Sequence, residues 1–284
     1  MTARTTMTAL YVPGDRPDRV AKALRIGADG VIVDLEDAVA PGSKEAAREA
    51  LATLTDELAA ATRDGAHVVV QVRINARGSL WHDADVAALA ELPRGIGVRL
   101  PKTQSVDDVA ALRTALPGRD VHALLETALA VERAFDIASS GVASISTGEA
   151  DLRAALAVPA GEEGEEGLRW SRSRIVNAAA AAGLPAPLLS VYADVNDLEG
   201  LERSSREGLR LGFAGRTAIH PRQLEVIRRV FTPTAAQVER AEQIVRRVSS
   251  AAADGSGTVV LDDGTFLDIA MVRAAERVIA AAGS

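Results

Sequence analysis

The sequence predicts an α/β fold, a closed (β/α)8 barrel of the TIM type followed by a C-terminal extension. Short apolar segments alternate with longer Ala/Arg/Glu-rich segments of helical pattern along most of the chain, which is typical of a parallel sheet. Eight such apolar segments can be counted, which matches the number of strands in a closed barrel. A doubly wound open sheet is the alternative. It is less favoured because VPGDRP, after the first segment, is not a GxGxxG phosphate turn.

The predicted strands are short runs rich in Val, Ile, Leu and Ala, as expected of strands that are buried on both faces. In chain order they are Ala9–Val12, Gly30–Asp34, Val68–Arg73, Ile96–Leu100, Val121–Leu125, Val142–Ser146, Leu188–Tyr192 and Gly208–Phe213. The segments between them repeat apolar residues every three or four positions, which predicts helices. These helices are Arg16–Arg25, Lys44–Ala60, Asp83–Ala90, Val106–Ala115, Ala130–Ala138 and Ser171–Ala182.

Two segments fall outside this alternation. Pro159–Gly167 is acidic and Gly-rich, so we interpret it as an exposed loop. The tail has a helical pattern over Pro233–Ala252, then a hairpin around Asp262–Gly264 and a last helix. We therefore predict a barrel domain over residues 1–232 and an extension over residues 233–284. The extension is too short for a core of its own, so it should pack on a barrel or on a neighbouring subunit.

Composition excludes several classes of function. The 284 residues carry a formal charge of −7, which argues against nonspecific binding to nucleic acid or anionic membranes, although a small anionic ligand could still bind a local basic patch. The absence of cysteine excludes disulfides, thiolate metal sites and a cysteine nucleophile. No apolar run approaches the roughly 18 residues of a membrane span, and the N-terminus lacks a signal-peptide pattern. We expect a cytoplasmic protein.

Polar residues follow almost every predicted strand. In a barrel these positions share one rim, where catalysis takes place. They are Tyr11, Asp34, Glu36, Asp37, Arg73, Asn75, Lys102, Glu126, Asp151, Asp194 and the segment Gly215–His220. Glu126 and Asp151 follow two consecutive buried strands, and a carboxylate there is costly unless it is paired or holds a cation. Oxygen ligands without His or Cys favour Mg²⁺ over zinc.

A structural interpretation is open for several of these residues. Asp37, Asn75 and Asp194 could cap the helices that follow, and Lys102 could be an ordinary ion-pair partner. Arg73 is harder to explain in that way, because a guanidinium after the apolar run VVVQV must find an anion.

Nine motifs stand along the chain: LYVPGDRPDRVAKAL, GADGVIVDLEDAVAPGSKEAAR, VVQVRINA, GVRLPKTQSVDDV, LLETALAV, TGEADL, SVYADVNDLEGL, GFAGRTAIHPRQ and DDGTFLDIAMV. In these motifs the chain resembles the citrate lyase β-subunit-like family of the HpcH/HpaI aldolase superfamily. The resemblance follows the family order over nearly the whole chain. It implies a Mg²⁺-dependent TIM barrel (Mn²⁺ is possible), a homotrimer, and a C-terminal lid that completes a neighbour's site.

The resemblance also assigns roles by position. Glu126 and Asp151 match the metal ligands, Arg73 matches the substrate-binding arginine, and Glu36 and Asp37 would orient metal-bound water. We also expect Glu126 and Lys102 to contact the substrate. The positions that match contacts to the CoA part are Tyr11, Arg16, Arg19 and Lys22, and the substrate-lining pair is Ile219 and His220. The lid aspartate corresponds to Asp268.

Two residues depart from the family pattern. Arg216 stands where a lysine is common, which keeps the charge, and Ala270 stands where the lid motif usually has proline.

The implied activity is cleavage or formation of the C–C bond of a 3-hydroxyacyl thioester, such as citramalyl-CoA or malyl-CoA, to acetyl-CoA and a 2-oxo acid. The alternatives are a metal aldolase acting on free 2-oxo acids, a citryl-ACP lyase subunit, and a catalytically silent binding paralogue. The basic residues near Tyr11 argue against the first, because a free acid needs no remote phosphate site. The complete set of Arg73, Glu126 and Asp151 argues against the last.

Overall fold

A computed structural model describes residues 6–63, 68–159, 161–253, 259–260, 266–267 and 269–283. The chain divides into two compact units, one of Met7–Arg228 and one of Met1–Thr6 with Arg229–Ser284. The first unit contains the parallel strands β1 Thr8–Pro13, β2 Gly30–Asp34, β3 Val69–Arg73, β4 Gly97–Leu100, β5 Val121–Leu125, β6 Ser144–Thr147, β7 Leu188–Leu189 and β8 Gly215–Ala218.

These eight strands form a nearly closed barrel, as predicted. Their order is β6-β5-β4-β3-β2-β1-β8-β7, and the first strand pairs on both sides, with Ala9 in register with Gly30 and with Thr217. Within the described residues, the two end strands β6 and β7 are not paired with each other. A side chain spans this gap, because the hydroxyl of Ser190 after β7 accepts a hydrogen bond of 3.1 Å from the backbone N–H of Glu149 after β6.

Helices occupy the connections between strands and continue past the last one. They are α1 Pro17–Ala23, α2 Lys44–Thr53, α3 Thr55–Ala61, α4 His82–Ala90, α5 Val106–Ala115, α6 Ala128–Glu132, α7 Ala134–Ala138, α8 Glu149–Leu156, α9 Glu165–Ala181, α10 Leu198–Leu211 and α11 Arg222–Phe231. Each predicted helix of this unit is confirmed. Two of them are interrupted, at Leu54 and at Arg133, where the backbone leaves helical geometry. Helices α8 and α10 were not predicted from the sequence.

The predicted eighth strand, Gly208–Phe213, is wrong. Gly208 lies in α10, which has a buried face at Leu201, Ser205 and Gly208, and Gly212 ends it in a left-handed conformation with φ 99°. The strand follows at Gly215–Ala218, so the segment placed on the rim is mostly the strand itself. The other seven strands are confirmed with changes at their ends, the largest at β7, which is shorter than predicted.

The predicted loop Pro159–Gly167 is partly wrong as well. Helix α9 begins at Glu165, whose side chain pairs with Arg153 and, at 2.8 Å, with Arg172. Acidic side chains in the first turn of a helix also interact favourably with its dipole. The acidic composition that indicated a loop is here the start of a helix.

The described residues of the second unit include two further helices and a hairpin. Helix α12, Ala235–Ala253, packs against α13, Ile269–Ala282. The strands β9, Val259–Val260, and β10, Phe266–Leu267, pair antiparallel, which confirms the predicted hairpin. The lid residue Asp268 lies outside the described residues, and the domain boundary at residues 232 and 233 stays a prediction. In the part of the chain that is described, no helix is both long and apolar enough to cross a membrane.

Candidate active site

A cavity of about 350 Å³ opens at the carboxyl ends of the barrel strands. Its lining includes Tyr11, Asp34, Asp37, Arg73, Arg99, Leu124, Glu126, Gly148, Asp151, Ser190, Thr217 and Ile219. The barrel therefore brings together residues that are more than 200 positions apart in sequence. Six residues of the predicted site, Tyr11, Asp37, Arg73, Glu126, Asp151 and Ile219, line this cavity.

Arg73, at the end of β3, is held rigidly. Its Nε and Nη2 donate to the two carboxylate oxygens of Asp34 at 2.8 and 2.6 Å, a bidentate pair. The third nitrogen, Nη1, lies 3.0 Å from Glu36 and 3.3 Å from Asp37. The guanidinium also lies over the ring of Tyr11, 4.9 Å from its centroid. Burial acts to lower the pKa of Arg73, but the hydrogen bonds to Asp34 outweigh it and keep the pKa above its ordinary value.

Glu126 directly follows β5 and is almost completely buried. One carboxylate oxygen accepts a hydrogen bond of 2.6 Å from the backbone N–H of Lys102. Burial first, and then the nearby Glu36 carboxylate, raise the pKa of Glu126 to about 8. A carboxylate in this position is poised to bind a cation, whose charge would offset both effects on the pKa.

Lys102 links the acidic residues of the rim. Its backbone takes φ 50°, a left-handed conformation that costs a non-glycine residue about 1–2 kcal/mol. Its Nζ lies 3.2 Å from Glu36 and 3.7 Å from Asp151. Burial acts to lower the pKa of Lys102, but the ion pair with Glu36 outweighs it and raises the pKa.

The donor set fits a hard divalent cation. Glu126 and Asp151 offer carboxylate oxygens to one cavity. Oε2 of Glu36 is buried and, although it is near Arg73, no described donor meets it with hydrogen-bond geometry. A Cβ at Gly148 would lie 2.3 Å from Oε2 of Glu126, so only glycine permits this carboxylate to adopt its position.

The number of protein ligands is small. Among the described residues, no group of three or more His, Cys, Asp or Glu side chains is arranged to hold a metal ion. Mg²⁺ typically binds through one or two carboxylates and takes its other ligands from water and substrate. Two carboxylates on a cavity wall are therefore sufficient for Mg²⁺, but not for a closed structural site.

The other described residues of the predicted site do not line the cavity. Arg16, Arg19 and Lys22 are exposed at helix α1, and Arg16 pairs with Asp18 at 3.3 Å. The backbone N–H groups of Ile219 and His220 both donate to Gln223. Glu36, Lys102, His220 and the three basic residues of α1 are not part of the cavity lining.

Two residues proposed as possible helix caps have different environments. Asn75 is buried and accepts from Lys44 at 2.8 Å while it donates to Asp85 at 2.6 Å, so it belongs to a structural network instead of capping a helix. Asp194 accepts from the backbone N–H of Asn196 at 2.9 Å, and the cap of α10 is Asp197.

Two charged residues of the cavity wall were not among the site residues predicted from the sequence. Glu149 is paired with Arg172 through two hydrogen bonds of 2.7 Å. Arg99, in the strand sequence GVRL, was treated only as part of a strand. The sequence does indicate a special role for Arg99, because an arginine inside a buried apolar run needs hydrogen-bond acceptors or an anion.

Comparison with known proteins identifies the family. The family described as HpcH/HpaI aldolase/citrate lyase matches residues 7–221. The citrate lyase subunit beta of Leuconostoc mesenteroides subsp. cremoris is 31% identical, over 97% of this chain and 93% of that protein. The (3S)-malyl-CoA thioesterase of Cereibacter sphaeroides is 32% identical, over 90% of this chain and 87% of that protein. The chain belongs to the HpcH/HpaI aldolase/citrate lyase family.

Solved structures agree with this family. CitE of Mycobacterium tuberculosis, in complex with magnesium, acetoacetate and coenzyme A, superposes with a TM-score of 0.78 at 34% identity, over 99% of both chains. A citrate lyase beta subunit of the same organism, in complex with oxaloacetate and magnesium, gives a TM-score of 0.68 at 37% identity, over 81% of this chain and 98% of that one. The resemblance noted from the sequence motifs is thereby confirmed.

Proposed function

We propose that this member of the HpcH/HpaI aldolase/citrate lyase family is a Mg²⁺-dependent carbon–carbon lyase. It cleaves, or in reverse forms, a 3-hydroxyacyl-CoA-type thioester to give acetyl-CoA and a 2-oxo acid. One observation carries the proposal: Glu126, Asp151 and the fixed guanidinium of Arg73 line the same cavity. The relatives with bound magnesium, oxaloacetate or coenzyme A support this reading.

Glu126 and Asp151 would hold the metal. When bound, Mg²⁺ supplies Lewis-acid polarisation of the oxygen that becomes the keto group of the 2-oxo acid. Glu36 and Asp37 would orient water in the site, and the ammonium of Lys102 keeps Glu36 close to Asp151.

Arg73 would stabilise the charge that develops during cleavage. The hydroxyl proton would pass to the water that Glu36 and Asp37 orient, the O–H bonding pair forms the new carbonyl, and the C–C bonding pair moves into the thioester as an enolate. A fixed donor placed at that oxygen favours the transition state. Asp34 holds Nε and Nη2, so we assign this role to Nη1, whose neighbours are Glu36 and the exposed Asp37.

Proton transfer to the enolate carbon completes acetyl-CoA, and we assign it to Asp268 of the lid. Tyr11, Arg16, Arg19 and Lys22 would bind the CoA part, while Ile219 and His220 would contact the substrate beside the cavity. The exposure of the three basic side chains of α1 supports contact with a phosphate outside the barrel. We further propose a cytoplasmic homotrimer in which the lid acts on a neighbouring barrel.

The test is a panel of citramalyl-, malyl-, citryl- and hydroxymethylglutaryl-CoA with Mg²⁺, in which acetyl-CoA and 2-oxo acid are measured together. Glu126→Ala and Asp151→Ala should each abolish turnover and leave the fold intact, whereas the exposed control Glu91→Ala should retain it. Turnover should stop in excess EDTA and return with added Mg²⁺. Full activity in EDTA would rule out the metal assignment.

Thioester hydrolysis is the second candidate, because a (3S)-malyl-CoA thioesterase is among the relatives. The same panel separates the two activities. A lyase releases acetyl-CoA and a 2-oxo acid, whereas a thioesterase releases free CoA thiol and the intact hydroxy acid. Free thiol as the sole product would favour the second candidate.

A further inference from the structure

Arg99 places a positive charge on the cavity wall. It lies on β4, is 2% exposed and contributes to the cavity lining. Its Nε donates to Oε1 of Gln71 at 2.9 Å and its Nη1 donates to the hydroxyl of Ser146 at 2.7 Å. Both acceptors are neutral. Among the described residues, no carboxylate forms an ion pair with Arg99, and none accepts a hydrogen bond from its Nη2.

Arg99 has fewer acceptors than four other arginines of the barrel unit, each of which has either carboxylate partners or at least three neutral acceptors. Arg73 and Arg172 are each paired with carboxylates. Arg119 donates to four backbone carbonyls, and Arg216 donates to one carbonyl and two serine hydroxyls. A buried guanidinium without an anion is unfavourable. Arg99 therefore has an unused capacity for an anion, and it faces the substrate cavity.

The strand register indicates how far below the rim of the barrel the guanidinium of Arg99 lies. Leu124 is in register with Ser146, the residue that holds Nη1 of Arg99. Glu126 lies two residues beyond Leu124, just past the end of β5, which is about 7 Å towards the rim. The guanidinium thus lies below the proposed metal ligand by about the length of a short diacid.

We propose that Arg99 binds a second carboxylate of the substrate and selects thioesters whose cleavage gives a dicarboxylic 2-oxo acid. This inference rests on the proposed function, in which the first carboxylate of the 2-oxo acid end lies at Glu126 and Asp151. A monocarboxylic acid would end before it reached Arg99. Gln71 and Ser146 fix the planar guanidinium from two sides, so it is oriented before the ligand arrives.

Calorimetric binding of two 2-oxo acids to the full-length protein tests this inference. Freshly prepared oxaloacetate and pyruvate are titrated separately with saturating MgCl₂, because they differ by one carboxylate. The wild-type protein should bind oxaloacetate on the order of 10- to 100-fold more tightly, as expected for a charge-assisted hydrogen bond. Arg99→Met should remove this preference and leave pyruvate binding within about twofold. Arg99→Lys should retain part of it.

A matched control is Arg77→Met, which removes an exposed arginine that pairs with Asp108 at 2.9 Å. It should keep the preference for oxaloacetate. No preference in the wild-type protein would overturn the inference, whether or not Arg99→Met folds, and so would a preference that survives in Arg99→Met. In those cases Mg²⁺-dependent binding of pyruvate would leave the proposed function standing. If neither acid binds in a Mg²⁺-dependent manner, the proposed function fails and the inference fails with it.

Discussion

Replacement of Arg73 by lysine separates charge from geometry in the proposed transition state. Lysine keeps the positive charge, but one ammonium group cannot reproduce the guanidinium, which spans both oxygens of Asp34 and still presents Nη1. If Nη1 is the donor to the enolate oxygen, kcat should fall by about 10²–10³-fold, as for loss of an oxyanion donor. KM should change little.

The same substitution should lower stability by a predictable amount. Asp34 is 1% exposed and would lose one of its two charged hydrogen bonds, a loss of roughly 1.5–3 kcal/mol. Urea titration followed by circular dichroism measures this free energy of unfolding. Steady-state cleavage of the active thioester at saturating Mg²⁺ gives kcat and KM. Both are compared with Arg77→Lys, where the arginine is half exposed and should matter little.

The result that would refute the reasoning is specific. A raised KM with an unchanged kcat would mean that Arg73 holds the substrate equally in the ground and transition states. Loss of stability without any loss of kcat would make the pair with Asp34 purely structural.

Three further predictions follow from the structure. Burial and the nearby Arg99 lower the pKa of His122 from 6.5 to about 3, so the unfolded state binds the proton first and stability falls as pH drops from about 6.5 towards 3. Between pH 7 and pH 5 this single group should lower the free energy of unfolding by about 2 kcal/mol. Urea titration at both pH values measures this loss for the wild type and for His122→Asn, which should lack it. An equal loss of stability with pH in the two proteins would contradict the prediction. Gly148→Ala should displace the Glu126 carboxylate, lower kcat about tenfold or more and raise the Mg²⁺ concentration needed for half activity, while circular dichroism stays unchanged. Mixing Asp268→Ala with Glu126→Ala protein should restore part of the lyase activity after subunit exchange, and no recovery would argue against a lid that acts on the neighbouring barrel.

The barrel could be predicted because its signals are local and repeated. A buried parallel strand such as β2, Gly30–Asp34, must be continuously apolar, and this pattern survives in the sequence without any knowledge of its partners. The prediction of the eighth strand was wrong for the opposite reason. Its residues Gly215–Ala218 include Arg216, whose guanidinium donates hydrogen bonds to Ser190, Ser204 and Ser205. Those partners are distant in sequence, so nothing local identifies the segment as a strand.

The candidate site was predictable only to the extent that chemistry follows strand ends. Glu126 is recognisable because an acid after a buried strand needs a cation or a partner. The sequence does not show which of these side chains pair with one another. Asp34 accepts hydrogen bonds from two nitrogens of Arg73. Lys102 has a left-handed backbone conformation, and its backbone N–H donates to Glu126. These contacts join strands that are adjacent only after the barrel forms.

Arg99 shows how the two kinds of information combine. From the sequence alone it is one charged residue inside a buried strand, and the sequence offers several distant acids as partners. The structure removes that explanation, since the described residues offer it only Gln71 and Ser146. Neutral acceptors orient a guanidinium but leave its charge uncompensated. The described residues do not supply the compensating negative charge. A substrate anion in the cavity that Arg99 lines would supply it.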